Sequence, residues 1–158
     1  MGIFLIFLTE QRIKMERDIK WSAVSLCIAS QALSTVEITR ILDTRPHSTT
    51  EKGSPVSKRN PSGPVQQQSV WMLESGVNSN EPLETHITKL VEYIEAHRVL
   101  LEGLLSNCTI DLRCSFSSSN GQGGFVLDTL LLKRLSALPI DLIVDLYPPE
   151  NEGLSLES

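Results

Sequence analysis

The sequence predicts an α+β domain. The expected core is a four-stranded sheet, mixed or largely antiparallel, with one long and two short helices in the order β-α-β-α-β-α-β. Three observations carry this. Residues 81–107 repeat their apolar positions at helical spacing. Residues 108–116 and 140–147 alternate apolar and polar side chains, as strands do. Capping residues and prolines mark two shorter helices. At 158 residues, with 41% hydrophobic content, the chain has the length of one domain and the means to bury a core.

The first strand is "WSAVSLCIAS" (21–30), with Val24, Leu26 and Ile28 on one face. The first short helix is "STVEITRILD" (34–43). Ser34 and Glu37 have the spacing of a capping box, and Pro46 lies just past the helix end. Residues 44–69 are rich in Pro, Ser, Gly, Gln and Thr, with too little apolar surface to offset the entropy of ordering. They predict a mobile loop within the domain. "SVWMLES" (69–75) is the second strand.

The long helix follows, with Pro82 suited to its first helical position. Leu83, Ile87, Leu90, Val91, Ile94, Leu101 and Leu105 form its apolar stripe. Glu84, Thr88, Glu92, Glu95 and Glu102 lie opposite. His86 and His97 fall at the edge of the stripe, where boundary residues sit. In "CTIDLRCSF" (108–116), Cys108, Ile110, Leu112, Cys114 and Phe116 share one face. Both cysteines are therefore expected in the core. "DTLLLKRLSAL" (128–138) is the last short helix, with Asp128 as N-cap and Pro139 as stop. It leads into the final strand, "IDLIVDLY" (140–147). The long helix and the last short one are expected on one face of the sheet. The final two strands are parallel if that helix is a right-handed crossover, and antiparallel if it reverses the chain.

The domain is expected over residues 20–147. Residues 1–19 are expected as an N-terminal extension and 148–158 as a disordered acidic tail. The apolar run Ile3–Leu8 is too short to span a membrane. It lacks the basic region and cleavage site of a signal peptide. Either it packs loosely on the domain, or Met15 is the natural start and residues 1–14 lie outside the natural protein.

Several function classes lose support at once. A net charge of −5 with no basic stripe argues against nucleic-acid binding. The three cysteines form no C-x-x-C pair, and the three histidines match no zinc spacing. Free thiols in a reducing cytoplasm are the expected state. No cofactor, metal, membrane or catalytic set is expected.

The stretch "SSSNGQGGFVLD" (117–128) lies between a strand and a helix, where phosphate loops occur. Gly121 and Gly123 fit the start of G-x-G-x-x-G, but the third glycine position is Val126. No G-K-[ST] follows either. A turn through Gly121–Gly124 is the plainer reading.

The order of motifs resembles a bacterial uncharacterised family, domain of unknown function 4279. The resemblance runs through "STVEITRILDTRP", the Lys52–Gly53 pair in the polar loop, "VWMLES" with Trp71, and the long helix. It continues through "IDLRCSF", "GGFVL" and "LLLKRLSALPIDLIVDLY". It covers about residues 20–147 and implies a compact single domain. It implies no activity and carries no functional residues.

Three functional classes remain. The leading one is a non-enzymatic cytoplasmic module that binds an unknown protein partner. Its expected surface is the outer sheet face, where Asp111, Arg113, Asp145 and Tyr147 present mixed charge and an aromatic anchor. A toxin-neutralising, immunity-type role is one specific version. The second is an enzyme with a carboxylate site from Asp111, Asp141 and Asp145, which meet if the last two strands are neighbours. The third is a nucleotide or phosphate binder using Gly121–Gly124.

Overall fold

The computed structural model describes residues 19–118 and 123–147, and only the backbone of residues 19 and 20. The expectations for residues 1–18, for 119–122 and for the tail from 148 lie outside the described residues. No helix among the described residues is long and apolar enough to cross a membrane.

The chain folds as a mixed α+β domain with five strands and four helices. The strands are β1 (Ile19–Ser30), β2 (Ser48–Thr50), β3 (Ser69–Glu74), β4 (Cys108–Ser118) and β5 (Asp141–Tyr147). The helices are α1 (Thr35–Leu42), α2 (Leu83–Ala96), α3 (Arg98–Leu104) and α4 (Thr129–Ser136). The sheet order is β2-β3-β1-β4-β5. β1 pairs antiparallel with β3 and β4, β2 pairs antiparallel with β3, and β5 runs parallel to β4.

Two features correct the four-strand, three-helix expectation. The additional strand, β2, lies in the polar segment 44–69. Its Ser-Thr-Thr sequence has no apolar alternation, yet Thr49 pairs with Trp71 and Thr50 with Val70. Nearby, the Glu51 carboxylate accepts hydrogen bonds from the Thr35 backbone N–H (3.0 Å), the Thr35 hydroxyl and the Ser69 hydroxyl (3.0 Å). These bonds hold the carboxyl below its ordinary range, the Thr35 hydroxyl contributing most. A bridge between Pro55 and Val65 closes the outer part of the segment.

The additional helix comes from a break at His97, which divides the expected long helix into α2 and α3. The Tyr93 carbonyl accepts from both the His97 backbone N–H (3.0 Å) and Nδ1–H (2.8 Å). The His97 ring stacks on Tyr93 with centroids 4.0 Å apart. Side chain and backbone thus compete for one carbonyl, and the helical ladder slips there. The apolar stripe slips with it, so Leu104 is buried where Leu105 is the expected position.

Two capping predictions match the structure, while Pro82 stands at the N-cap of α2, one position before the first helical residue, where its extended backbone leads into Leu83. Ser34 and Glu37 form the reciprocal capping box of α1. The Asp128 carboxylate accepts from Leu131 N at the start of α4 (2.8 Å). The single core joins Val24, Leu26 and Ile28 of β1, Trp71 of β3, and Ile110, Leu112, Cys114 and Phe116 of β4 to residues of all four helices. All four helices therefore pack on one face. Arg134 ties α4 to α2 through a two-pronged contact with Glu95 (2.9 and 2.8 Å).

Candidate functional site: the helix-free sheet face

Paired residues on neighbouring strands project to the same face. The face opposite the helices can therefore be followed across the sheet. One row runs Asp141, Asp111, Cys27, Met72, Ser48. The next runs Ile143, Arg113, Ser25, Glu74. Beyond it lie Asp145, Ser115, Ala23, and then Tyr147, Ser117, Trp21. Small side chains floor the middle of this face. Large and charged ones stand at the β5 side and along its rim.

The strand alternation read from sequence brings Asp111, Arg113, Asp145 and Tyr147 onto this one face. Arg113 Nε donates to Asp111 Oδ1 at 2.8 Å. The Asp111 side chain is 11% exposed and that of Arg113 is 43% exposed. The carboxylate is thus sheltered beneath a guanidinium that still reaches solvent. Asp145 adds to the negative charge felt by Arg113. Tyr147 packs on Trp21 with centroids 5.3 Å apart and planes tilted by 46°. Trp21 is the member that sequence reasoning missed. Its parity with Ala23, Ser25 and Cys27 was the available signal. The pairing that brings it to Tyr147 passes through β4, and strand order is not written in local pattern.

Beneath Arg113, Cys27 is fully buried. Burial, and secondarily the Asp111 carboxylate, raise its thiol pKa. Burial pushes the Cys114 thiol up to about 12, and raises that of Cys108. All three are free cysteines held as protonated thiols at neutral pH, which are poor nucleophiles.

A family model described as domain of unknown function (DUF4279) matches residues 19–149. The chain belongs to that family. No curated protein and no solved structure matches it.

Elsewhere in this DUF4279 domain the polar groups are largely engaged in structure. His86 is buried, not at a boundary, with 1% exposure. Its Nε2–H donates to the Asn78 carbonyl (3.1 Å), and its Nδ1 accepts from the Ser75 hydroxyl (2.7 Å). Because a carbonyl can only accept, this fixes the neutral tautomer. Desolvation lowers the imidazole pKa.

The carboxylate reading finds Asp111 directly opposite Asp141, with Asp145 further along β5. Asp111 is already engaged by Arg113. No group of three or more His, Cys, Asp or Glu among the described residues is placed to hold a metal ion.

For the phosphate reading, Gly121 lies outside the described residues. Gly123 and Gly124 lead into a short irregular segment before α4. The Leu131 N–H at the start of α4 is taken by the Asp128 carboxylate, which supplies negative charge where a phosphate would otherwise bring it. The left-handed glycines among the described residues are Gly53 and Gly76, in other loops. A cleft of about 490 Å³ between α2 and α4 is lined in part by Thr85, Lys89, Val126 and Leu130. Arg134, also on its wall, is engaged by Glu95.

Proposed function

We propose that this domain is a non-enzymatic protein-binding module, and that its partner docks on the helix-free sheet face around Arg113, Trp21 and Tyr147, with Asp111 and Asp145 contributing. The observation that carries this reading is one shared surface. It joins a Trp–Tyr pair, of which Tyr147 is half-exposed, to an Arg–Asp pair across a floor of small side chains. Aromatic residues and arginine are the side chains that dominate binding energy at protein interfaces. The Asp111 carboxylate orients the guanidinium, so little rotamer entropy remains to be lost on docking. An immunity-type role is the specific form in which the partner is a toxin encoded beside this gene.

The test is capture of partners from native lysate by wild type, Arg113→Ala and Tyr147→Ala. Both substitutions change exposed positions. Tyr147→Ala should shift thermal stability little, within about 0.5–1 kcal/mol. Arg113→Ala also leaves the sheltered Asp111 carboxylate without its partner and should cost about 1–3 kcal/mol, so capture is compared where all three proteins are folded. Each should weaken capture at least tenfold, since loss of an interface anchor costs about 2 kcal/mol or more. A partner retained equally by both variants would sink the reading.

A further inference from the structure

We propose that β5 is a self-association edge, through which two copies of this chain pair antiparallel about Val144 into one continuous sheet. This goes beyond the partner reading above and does not depend on it.

The observation is an interrupted core. On the helix side, Leu112, Cys114 and Phe116 of β4 are 0%, 0% and 5% exposed. Their direct neighbours on β5, Leu142, Val144 and Leu146, are 38%, 42% and 60% exposed. The apolar rows of the sheet thus run into solvent one strand before they end. All seven residues of β5 are exposed. Parallel strands are ordinarily covered on both faces, so an uncovered parallel edge is unusual.

Monomers blunt such edges with lysine, proline, a bulge or a very short strand. Asp141–Tyr147 contains no lysine or proline, and its register with β4 is continuous. Its two charges both lie on the helix-free face and leave the apolar row unguarded. The opposite edge of the sheet is protected by brevity, since β2 has three residues, all Ser or Thr.

The sequence of the edge selects its occupant. With Val144 opposite Val144 of a second copy, Leu142 meets Leu146 and Leu146 meets Leu142. The helix-side row becomes apolar throughout. On the other face, Asp141 meets Tyr147 and Ile143 meets Asp145, so no carboxylate opposes another. Arg113 stands beside Ile143 on β4, in line with Asp145 of the second copy. A shift centred on Ile143 sets Asp141 against Asp145, and one centred on Asp145 sets that residue against itself. Like charges directly opposite are unfavourable. A one-residue slip sets a helix-side apolar residue against an aspartate, Leu142 against Asp145 in one direction and Val144 against Asp145 in the other. The Val144-centred register alone keeps all seven residues paired without these conflicts, and it leaves the helices of both copies on one side. A head-to-tail join through β2 lacks an apolar row to match.

The experiment uses the full chain. Sedimentation equilibrium over about 1–100 μM should show a concentration-dependent dimer, and Val144→Lys should be a monomer with the wild-type circular dichroism spectrum. Under mild oxidation, Val144→Cys should form a disulfide-linked dimer. Facing Cα atoms in an antiparallel pair lie about 4.5–5.5 Å apart, within disulfide reach. Wild type should not crosslink, because its three cysteines are buried. Leu146→Cys should not crosslink with itself, because it faces Leu142. If Val144→Lys fails to fold, the two cysteine variants decide. The proposal is overturned by a wild type that is monomeric throughout, by a dimer that survives Val144→Lys, or by Leu146→Cys crosslinking as readily as Val144→Cys. A dimer lost on removal of residues 1–18 but retained in Val144→Lys also overturns it. A monomer that still captures a partner in an Arg113-dependent way overturns the dimer and leaves the partner reading standing.

Discussion

His86 shows how one buried polar side chain can organise a loop. Its two ring nitrogens bind Ser75 and Asn78, so the segment between β3 and α2 closes over the first turns of α2. Ser22 reinforces the same segment by donating its backbone N–H to the Ser79 carbonyl (2.8 Å) and its hydroxyl to the Glu81 carbonyl. Desolvation lowers the His86 pKa below 6.5, against smaller opposing effects from the Asn78 carbonyl and Glu81. The unfolded chain therefore takes up this proton at a higher pH than the folded one. Its contribution to stability is complete above pH 6.5 and is lost as pH falls from there through the lowered folded value. Urea unfolding at pH 7.5 and 5.5 should show a loss of stability on acidification in wild type. His86→Gln should be destabilised by about 1–3 kcal/mol at pH 7.5, from broken buried hydrogen bonds. It should also lose less stability than wild type between the two pH values. Equal losses in both proteins would remove His86 as the group responsible.

At the scale of elements, Glu51 links three parts of the chain: α1 through Thr35, β3 through Ser69, and its own segment through the Ser54 hydroxyl, which donates to the Glu51 carbonyl (2.6 Å). Glu51→Ala should destabilise the domain by about 1–3 kcal/mol, because the bonds lost are to a charged acceptor. It should also speed tryptic cleavage after Lys58 or Arg59 relative to wild type, in conditions where the folded core stays intact. Cleavage at an unchanged rate would show that Glu51 does not restrain the segment. This anchor was not legible in the sequence, since it joins residues 16 and 18 positions apart that carry no shared pattern. What was legible was local. Ser34 with Glu37, Asp128 with Leu131 N, and the alternation through Cys108–Phe116 are set by neighbours within a turn or a strand. β2 escaped because strand pairing can recruit a polar segment when its partner strand supplies the apolar residue, here Trp71. The break at His97 escaped because it arises from hydrogen-bond competition, to which hydrophobic periodicity is blind.

For the whole molecule, the important difference is between the two halves of the sheet. β1 is the longest strand, with neighbours on both sides, and it supplies the centre of the core. Among the described residues β5 pairs with β4 alone, and all seven of its residues are exposed. The alternation in "DLIVDLY" correctly separates Leu142, Val144 and Leu146 from Asp141, Ile143, Asp145 and Tyr147. The sequence could not show that both sets would be exposed, because burial of a strand depends on its place in the sheet. The same ignorance of strand order hid Trp21 from the candidate face.

Hydrogen exchange turns this difference into a measurement. Central β1 amides should exchange only through global unfolding and be the slowest in the molecule. Along β5, alternate N–H groups point toward β4 and away from it. In dilute solution the inward amides should be protected and the outward ones fast. As concentration rises, pairing about Val144 should slow the outward amides, while α1, remote from that edge, keeps its rates. Residue-resolved exchange at about 1 and 100 μM would separate these sets. Outward β5 amides with the same fast rate at both concentrations would leave the edge as a solvated strand. Slowing confined to them would place the missing boundary of the core in a second molecule.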